Sequence, residues 1–190
     1  CNTYDIAQDE KGWFYLSSDY NFNYSPRFPS TNRGYGVVQI FDTSLHYKGF
    51  VNLNFDTSYK GQAFYVSFKK IIRSNKKDGF VVGGSLPLID TSLIFVDSLQ
   101  GYDTIVWHHE LLNIVKVNDS QQIEWRRTYR IRNGKDDGYL YDLKSCPTGG
   151  YIIAAASYLD DAREKYGDPY YMPWLLRVDD DGCLIPGCGT

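Results

Sequence analysis

Methionine occurs once in the 190 residues and histidine three times, and there is no cationic surplus: 20 Lys and Arg stand against 23 Asp and Glu, a net charge of -3. Without a basic excess the chain has no electrostatic footprint for a phosphate backbone, so nucleic acid is not expected as a partner. No apolar run approaches the ~18 residues of a membrane-crossing helix, and no transmembrane segment is expected. From Cys1 onward there is neither a positively charged start nor an apolar leader stretch, so an exported protein would be read here from a mature or truncated start. Signatures of catalysis are missing as well. Gly83-Gly84-Ser85 lacks the Gly-x-Ser-x-Gly elbow, no phosphate-cradling glycine loop occurs, and His46, His108 and His109 are the only histidines. No catalytic residue, cofactor or metal ligand is assigned on these grounds. A carboxylate pair for glycoside cleavage stays open, because such residues converge in space rather than in sequence.

The chain is instead rich in rings, with 17 Tyr, 10 Phe and 4 Trp. Aromatic and β-branched enrichment favours strands, and the length suits one buried core or part of a larger one. A unit of strand, glycine turn, apolar strand, variable insert, third strand and polar hairpin turn recurs. It is clearest at Gly149-Gly150-Tyr151-Ile152-Ile153-Ala154-Ala155-Ala156-Ser157 followed by Pro173-Trp174-Leu175-Leu176-Arg177-Val178-Asp179-Asp180-Asp181-Gly182-Cys183. Two earlier copies bring the total to about three four-stranded antiparallel units, spanning about 2–56, 62–131 and 138–190 by period and turn signals. The last lacks a regular fourth strand, since Cys183-Leu-Ile-Pro-Gly-Cys188 takes its place and proline cannot donate to a ladder. Matching turn glycines aligns Gly12, Gly79 and Gly150, and matching the central polar residue of the third strand aligns Gln39, Lys116 and Arg177. The inserts run over Asp19–Gly34, Leu86–Leu111 and Tyr158–Pro173.

An antiparallel sheet with two apolar faces must be covered on both, so the units are expected to pack face to face as in a β-propeller. The small residues Gly83-Gly84 and Ala154-Ala155-Ala156 suit crowded positions near a propeller axis. Three blades fall short of the ~4 that close a ring, so the all-β fold is expected as a single β-propeller-like domain or part of one, a partial propeller or a C-terminal fragment. Further blades would then come from the same or another chain.

The run from Gly149 to Ala154, with Trp174 to Cys188 after it, resembles the last blade of secreted, propeller-like repeat proteins of Bacteroidetes, of the kind exported by the type IX secretion system. The strong similarity covers about 40 residues, and the looser repeat grammar nearly the whole chain, as in other repeat proteins. In that group a sorting domain commonly follows such a Gly-Cys-Leu-x-Pro-Gly-Cys segment; here the chain ends at Thr190, and the inserts are long. The resemblance implies an extracellular or cell-surface, outer-membrane-associated protein. It favours a non-catalytic propeller module used for adhesion or as a scaffold in an envelope assembly. The alternative is the terminal part of a propeller-fold enzyme acting on polysaccharide.

The loop between Cys183 and Cys188 is short and bent by Pro186 and Gly187, and a disulfide is expected there; a zinc site lacks a second cysteine pair or spaced histidine. A lipidated Cys1 would normally precede a polar tether, which Thr3 to Ala7 do not supply. Trp107-His108-His109-Glu110 offers titrating groups, but adjacent strand residues point to opposite faces. Asp179-Asp180-Asp181 reads as a hairpin turn before it reads as a calcium loop, since Asp42-Thr43-Ser44 and Asn118-Asp119-Ser120 recur in the same place. The recognition surface, for a protein or a surface glycan, is expected on insert aromatics: Tyr20, Phe22, Tyr24, Phe28, Tyr158, Tyr166, Tyr170 and Tyr171. Ser98 and Thr104 sit in Asp-Ser/Thr-apolar triplets that resemble an O-glycosylation signal of Bacteroidetes.

Overall fold

A computed structural model describes residues 2–22, 33–53, 67–96, 101–129, 137–159 and 170–184. Eleven strands form three sheets, every neighbour antiparallel, and no helix occurs among the described residues. The first sheet is β1 (Asn2–Gln8), β2 (Phe14–Phe22), β3 (Arg33–Phe41) and β4 (Tyr47–Asn52). The middle sheet is β5 (Ser67–Arg73), β6 (Gly79–Val96), β7 (Gly101–Asn118) and β8 (Ile123–Tyr129). The third has three strands among the described residues: β9 (Asp137–Ser145), β10 (Tyr151–Leu159) and β11 (Tyr170–Val178). Within each sheet the strands follow chain order, so each sheet is a meander.

Strand pairing runs into each of the stretches expected to be an insert. Pairing of β6 with β7 continues from Gly79 opposite Asn118 to Val96 opposite Gly101, taking in the described residues of the second insert. The β2–β3 and β10–β11 hairpins likewise run on to Phe22 opposite Arg33 and Leu159 opposite Tyr170. Alternation of apolar and polar residues weakens there, but neighbouring backbone amides and carbonyls still satisfy each other.

Six turns reveal how the units correspond. In the turn after the third strand of each sheet, the amides of Leu45, Gln121 and Gly182 donate to the carbonyls of Asp42, Asn118 and Asp179 at 2.9, 2.9 and 3.1 Å. Those three donors have φ of 62°, 64° and 74°. Asp42 Oδ1 accepts from the amides of Ser44 and His46, Asn118 Oδ1 from Gln122, and Asp179 Oδ1 from Asp181 and Cys183. The acidic run is thus consumed by its own turn. Counting back from these residues puts Ile40, Lys116 and Arg177 in one row, so Ile40 and not Gln39 is the first sheet's equivalent. In the other set of turns Gly12, Lys77 and Gly149 occupy the left-handed position, with φ of 83°, 58° and 93°. Gly12 therefore corresponds to Gly149, and the glycine alignment was one residue out of step.

The sheets stack face to face through two cores. Val38, Ile40, Val51 and Leu53 of the first sheet bury against Phe68, Ile71, Phe80, Val82, Val115 and Val117 of the middle one. The other face of the middle sheet supplies Val81, Leu112, Ile114 and Tyr129, which meet Leu140, Leu143, Tyr151, Ile153, Ala155 and Val178. The middle sheet is apolar on both faces because it is covered on both. At its centre Gly84 leaves no room for a side chain: an added Cβ would lie 1.8 Å from the Ser67 carbonyl oxygen. Among the described residues the three sheets form an open stack rather than a closed ring.

Candidate functional site

The first strand of each sheet carries a β-bulge at the same register position. Ladder pairing skips Tyr4 between Thr3 and Asp5, Lys69 between Phe68 and Lys70, and Tyr141 between Leu140 and Asp142. A bulge leaves one residue outside the ladder and re-aims its side chain. All three skipped residues line a single groove of about 520 Å³, together with Lys70, Tyr139, Leu140 and Tyr171. Its walls are tyrosine: Tyr4, Tyr141 and Tyr171 are 40%, 61% and 50% exposed, and the rings of Tyr139 and Tyr171 meet edge to face at 6.0 Å.

The residue after each bulge ties the first strands together beneath the groove. Asp5 Oδ2 accepts the Ile71 amide at 3.1 Å, and Lys70 Nζ lies 3.7 Å from Asp142 Oδ1. The Leu143 amide donates to the same Asp142 oxygen at 3.0 Å. Both carboxylates beside the groove are thereby held in place, whereas Lys69 has no ion-pair partner among the described residues. The groove offers aromatic faces, hydroxyls and ammonium groups, a set suited to binding rather than to proton transfer.

A buried charge cluster lies elsewhere. Lys116 is 3% exposed and reaches Glu124 at 2.7 Å and Asp78 at 3.0 Å. Burial pushes the Lys116 ammonium down, but the two carboxylates outweigh it and its pKa is raised. Burial works against the Asp78 carboxylate too, yet the Ser74 hydroxyl and Lys116 hold it below its ordinary range. This cluster ties the turn of Asp78 to β7 and β8 and lines neither of the two recesses found among the described residues, so its role is read as structural. A second recess of about 420 Å³ lies between the turns at Gly149-Gly150 and at Asp179–Cys183. Its Asp180 carboxylate is taken up by the Gly150 amide at 2.9 Å and the Asn75 side chain at 3.2 Å.

Of the aromatics expected to form a recognition surface, Tyr171 lies in the groove. Tyr20 and Phe22 are in β2, Tyr158 in β10 and Tyr170 in β11, with their side chains outside the described residues; Tyr24, Phe28 and Tyr166 lie outside altogether. Ser98 is also outside, and Thr104 is a β7 position paired with Leu93. His108 and His109 are successive β7 positions opposite Ile89 and Leu88. Cys183 is disulfide-bonded and Cys146 is a free thiol; Cys188, the partner expected for Cys183, lies outside the described residues. Sequence reasoning missed Tyr4, Lys69, Lys70, Tyr139 and Tyr141, because a bulge has no composition of its own. Aligning the three first strands on Ile6, Ile71 and Leu143 would have put Tyr4, Lys69 and Tyr141 in one column. No group of three or more metal-ligating side chains occurs among the described residues, and no helix there is long and apolar enough to cross a membrane. Comparison with known proteins finds no matching family model, no matching curated sequence and no matching solved structure.

Proposed function

We propose that the chain is a non-catalytic, β-propeller-type recognition module of an exported cell-surface protein, and that the tyrosine groove takes a surface glycan. The observation that carries this is the convergence of three equivalent bulge residues, Tyr4, Lys69 and Tyr141, on one groove. A stacked repeat that turns the same position toward one place builds a site from its own periodicity, and the rigid sheets hold it without ligand. Tyrosine rings stack on the apolar faces of sugars while lysine ammonium groups donate to hydroxyls or carboxylates. The engagement of Asp5 and Asp142 in backbone and ion-pair contacts favours binding over acid–base cleavage. Adhesion or service as a scaffold in an envelope assembly is the role such a module would fill.

The test is titration of the chain with neutral and uronic-acid-containing oligosaccharides, followed by tyrosine fluorescence and calorimetry. Tyr141→Ala and Tyr171→Ala should each weaken binding about 5- to 30-fold, the loss of ~1–2 kcal/mol expected for one stacking ring. Lys69→Gln should weaken acidic sugars more than neutral ones. Absence of binding across the panel, or variants that bind like the parent, would sink the assignment. Hydrolysis of any oligosaccharide in the panel would favour the enzymatic alternative.

A further inference from the structure

The two end faces of the stack carry, at exposed positions among the described residues, the halves of a joint that the molecule already makes twice. Each sheet has one face that receives the sheet before it and one that enters the sheet after it. The receiving face is built from equivalent positions: Phe80, Val82 and Ile71 in the middle sheet, and Tyr151, Ile153 and Leu143 in the third, all buried in the two cores. Turn and ladder equivalence puts Phe14, Leu16 and Ile6 at those positions in the first sheet. There Phe14 and Leu16 are half-buried, Ile6 is 55% exposed, and Phe50 on the same face is 57% exposed.

The entering face is Tyr15 and Val38 in the first sheet and Val81 and Ile114 in the middle sheet. Its equivalents in the third sheet are Ile152 and Leu175, and Leu175 is 71% exposed, the most exposed of the large apolar side chains described. Both internal joints bring the entering residue after the turn to the same receiving position. Tyr15 meets Phe80 with ring centroids 3.8 Å apart, and Val81 shares the second core with Tyr151. A third joint of the same kind would set Ile152 against Phe14.

We propose that a second copy of this chain supplies that joint, docking the outer face of its first sheet, around Phe14, Leu16 and Phe50, onto the outer face of the third sheet, around Ile152 and Leu175. The faces differ, so the contact is head to tail: it leaves one free face of each kind and continues until the rotation closes a ring. Two like faces brought together would not reproduce the register seen at either internal joint. Continuity with those joints favours a copy of the same repeat over an unrelated partner.

The experiment uses the chain itself and two variants, Phe50→Glu to block the receiving face and Leu175→Glu to block the entering one. Both side chains are more than half exposed, and thermal unfolding checks that each variant is folded. Sedimentation velocity and light scattering should show the parent self-associating as concentration rises, and each variant alone monomeric. An equimolar mixture of the two variants should form a dimer and stop there, because the remaining faces are blocked. A parent that stays monomeric at every concentration, a variant that still dimerises with itself, or a mixture that stays monomeric would each overturn the proposal.

Discussion

At the scale of single residues, the tightest fits lie on β6, and they separate two glycines that look alike in the sequence. A Cβ on Gly84 would lie 1.8 Å from the Ser67 carbonyl oxygen and 2.7 Å from Phe68 Cα, both main chain of the paired strand. On Gly83 it would meet Leu140 Cδ2 at 2.7 Å and Ile114 Cδ1 at 3.0 Å, the ends of side chains that can rotate. Gly84→Ala is therefore expected to cost ~3 kcal/mol or more and Gly83→Ala ~1 kcal/mol, read from urea midpoints. The need for small residues here was legible in the sequence, and Ser17, Ser18 and Ala155 fill equivalent positions, each buried. Which glycine is indispensable was not legible, because that depends on the height of the neighbouring strand. Charge gives a second prediction. Asp78 is depressed, so its contribution is present above the ordinary ~3.9 and is lost as pH falls through its lower folded value. Lys116 is raised, so its contribution is present below the ordinary ~10.4 and is lost only as pH climbs through a still higher value. Urea midpoints should be nearly flat between about pH 5 and 10 and fall on both sides. Lys116→Met should make the acid limb shallower without removing it, since Asp42 and Glu10 are held low as well. It should leave most of the alkaline limb, which Tyr15, Tyr129 and Tyr151, raised by burial, also carry. An unchanged acid limb would show that the cluster does not contribute to it.

At the scale of elements, the turns carry the repeat more faithfully than the strands do. Asp179 Oδ1 accepts two turn amides and Asn118 Oδ1 accepts one, so Asp179→Ala should cost ~2 kcal/mol and Asn118→Ala ~1 kcal/mol by thermal or urea unfolding. The opposite sign is expected at Leu45, which is 66% exposed and held at φ 62°. A side chain is costly in that conformation and glycine is not, so Leu45→Gly should stabilise by ~0.5–1 kcal/mol. The hairpin turns were legible as clusters of Asp, Asn, Ser and Gly, and the acidic run was rightly read as turn chemistry. The register was misjudged by one residue because Lys77 does the work of a glycine at φ 58°, which composition alone does not disclose. The outward continuation of β6 and β7 was not legible, because an extended hairpin is held by backbone pairing, which leaves little alternation to read.

At the scale of the whole molecule, two cores share the middle sheet, so a defect in either should be felt throughout. Phe68 belongs to the first core and Ile153 to the second, and both are fully buried. Phe68→Ala and Ile153→Ala should each lower stability by ~2–5 kcal/mol. Far-UV and near-UV signals should still move in one transition, because neither outer sheet has a core without the middle one. Transitions that separate would show that the sheets are independent units. That the chain is all β and built from stacked antiparallel units was legible from its periodicities. The groove was not, since it arises where three bulges from separate sheets meet. Cys146, at the turn position held by Asp9 and Ser74 in the other sheets, is a buried free thiol beside Thr148 Oγ1 at 3.2 Å, and that contact lowers its pKa. Because this thiol is buried, the rate at which a soluble disulfide reagent modifies Cys146 reports how often its surroundings open, and so clocks the breathing of the end sheet without any introduced probe.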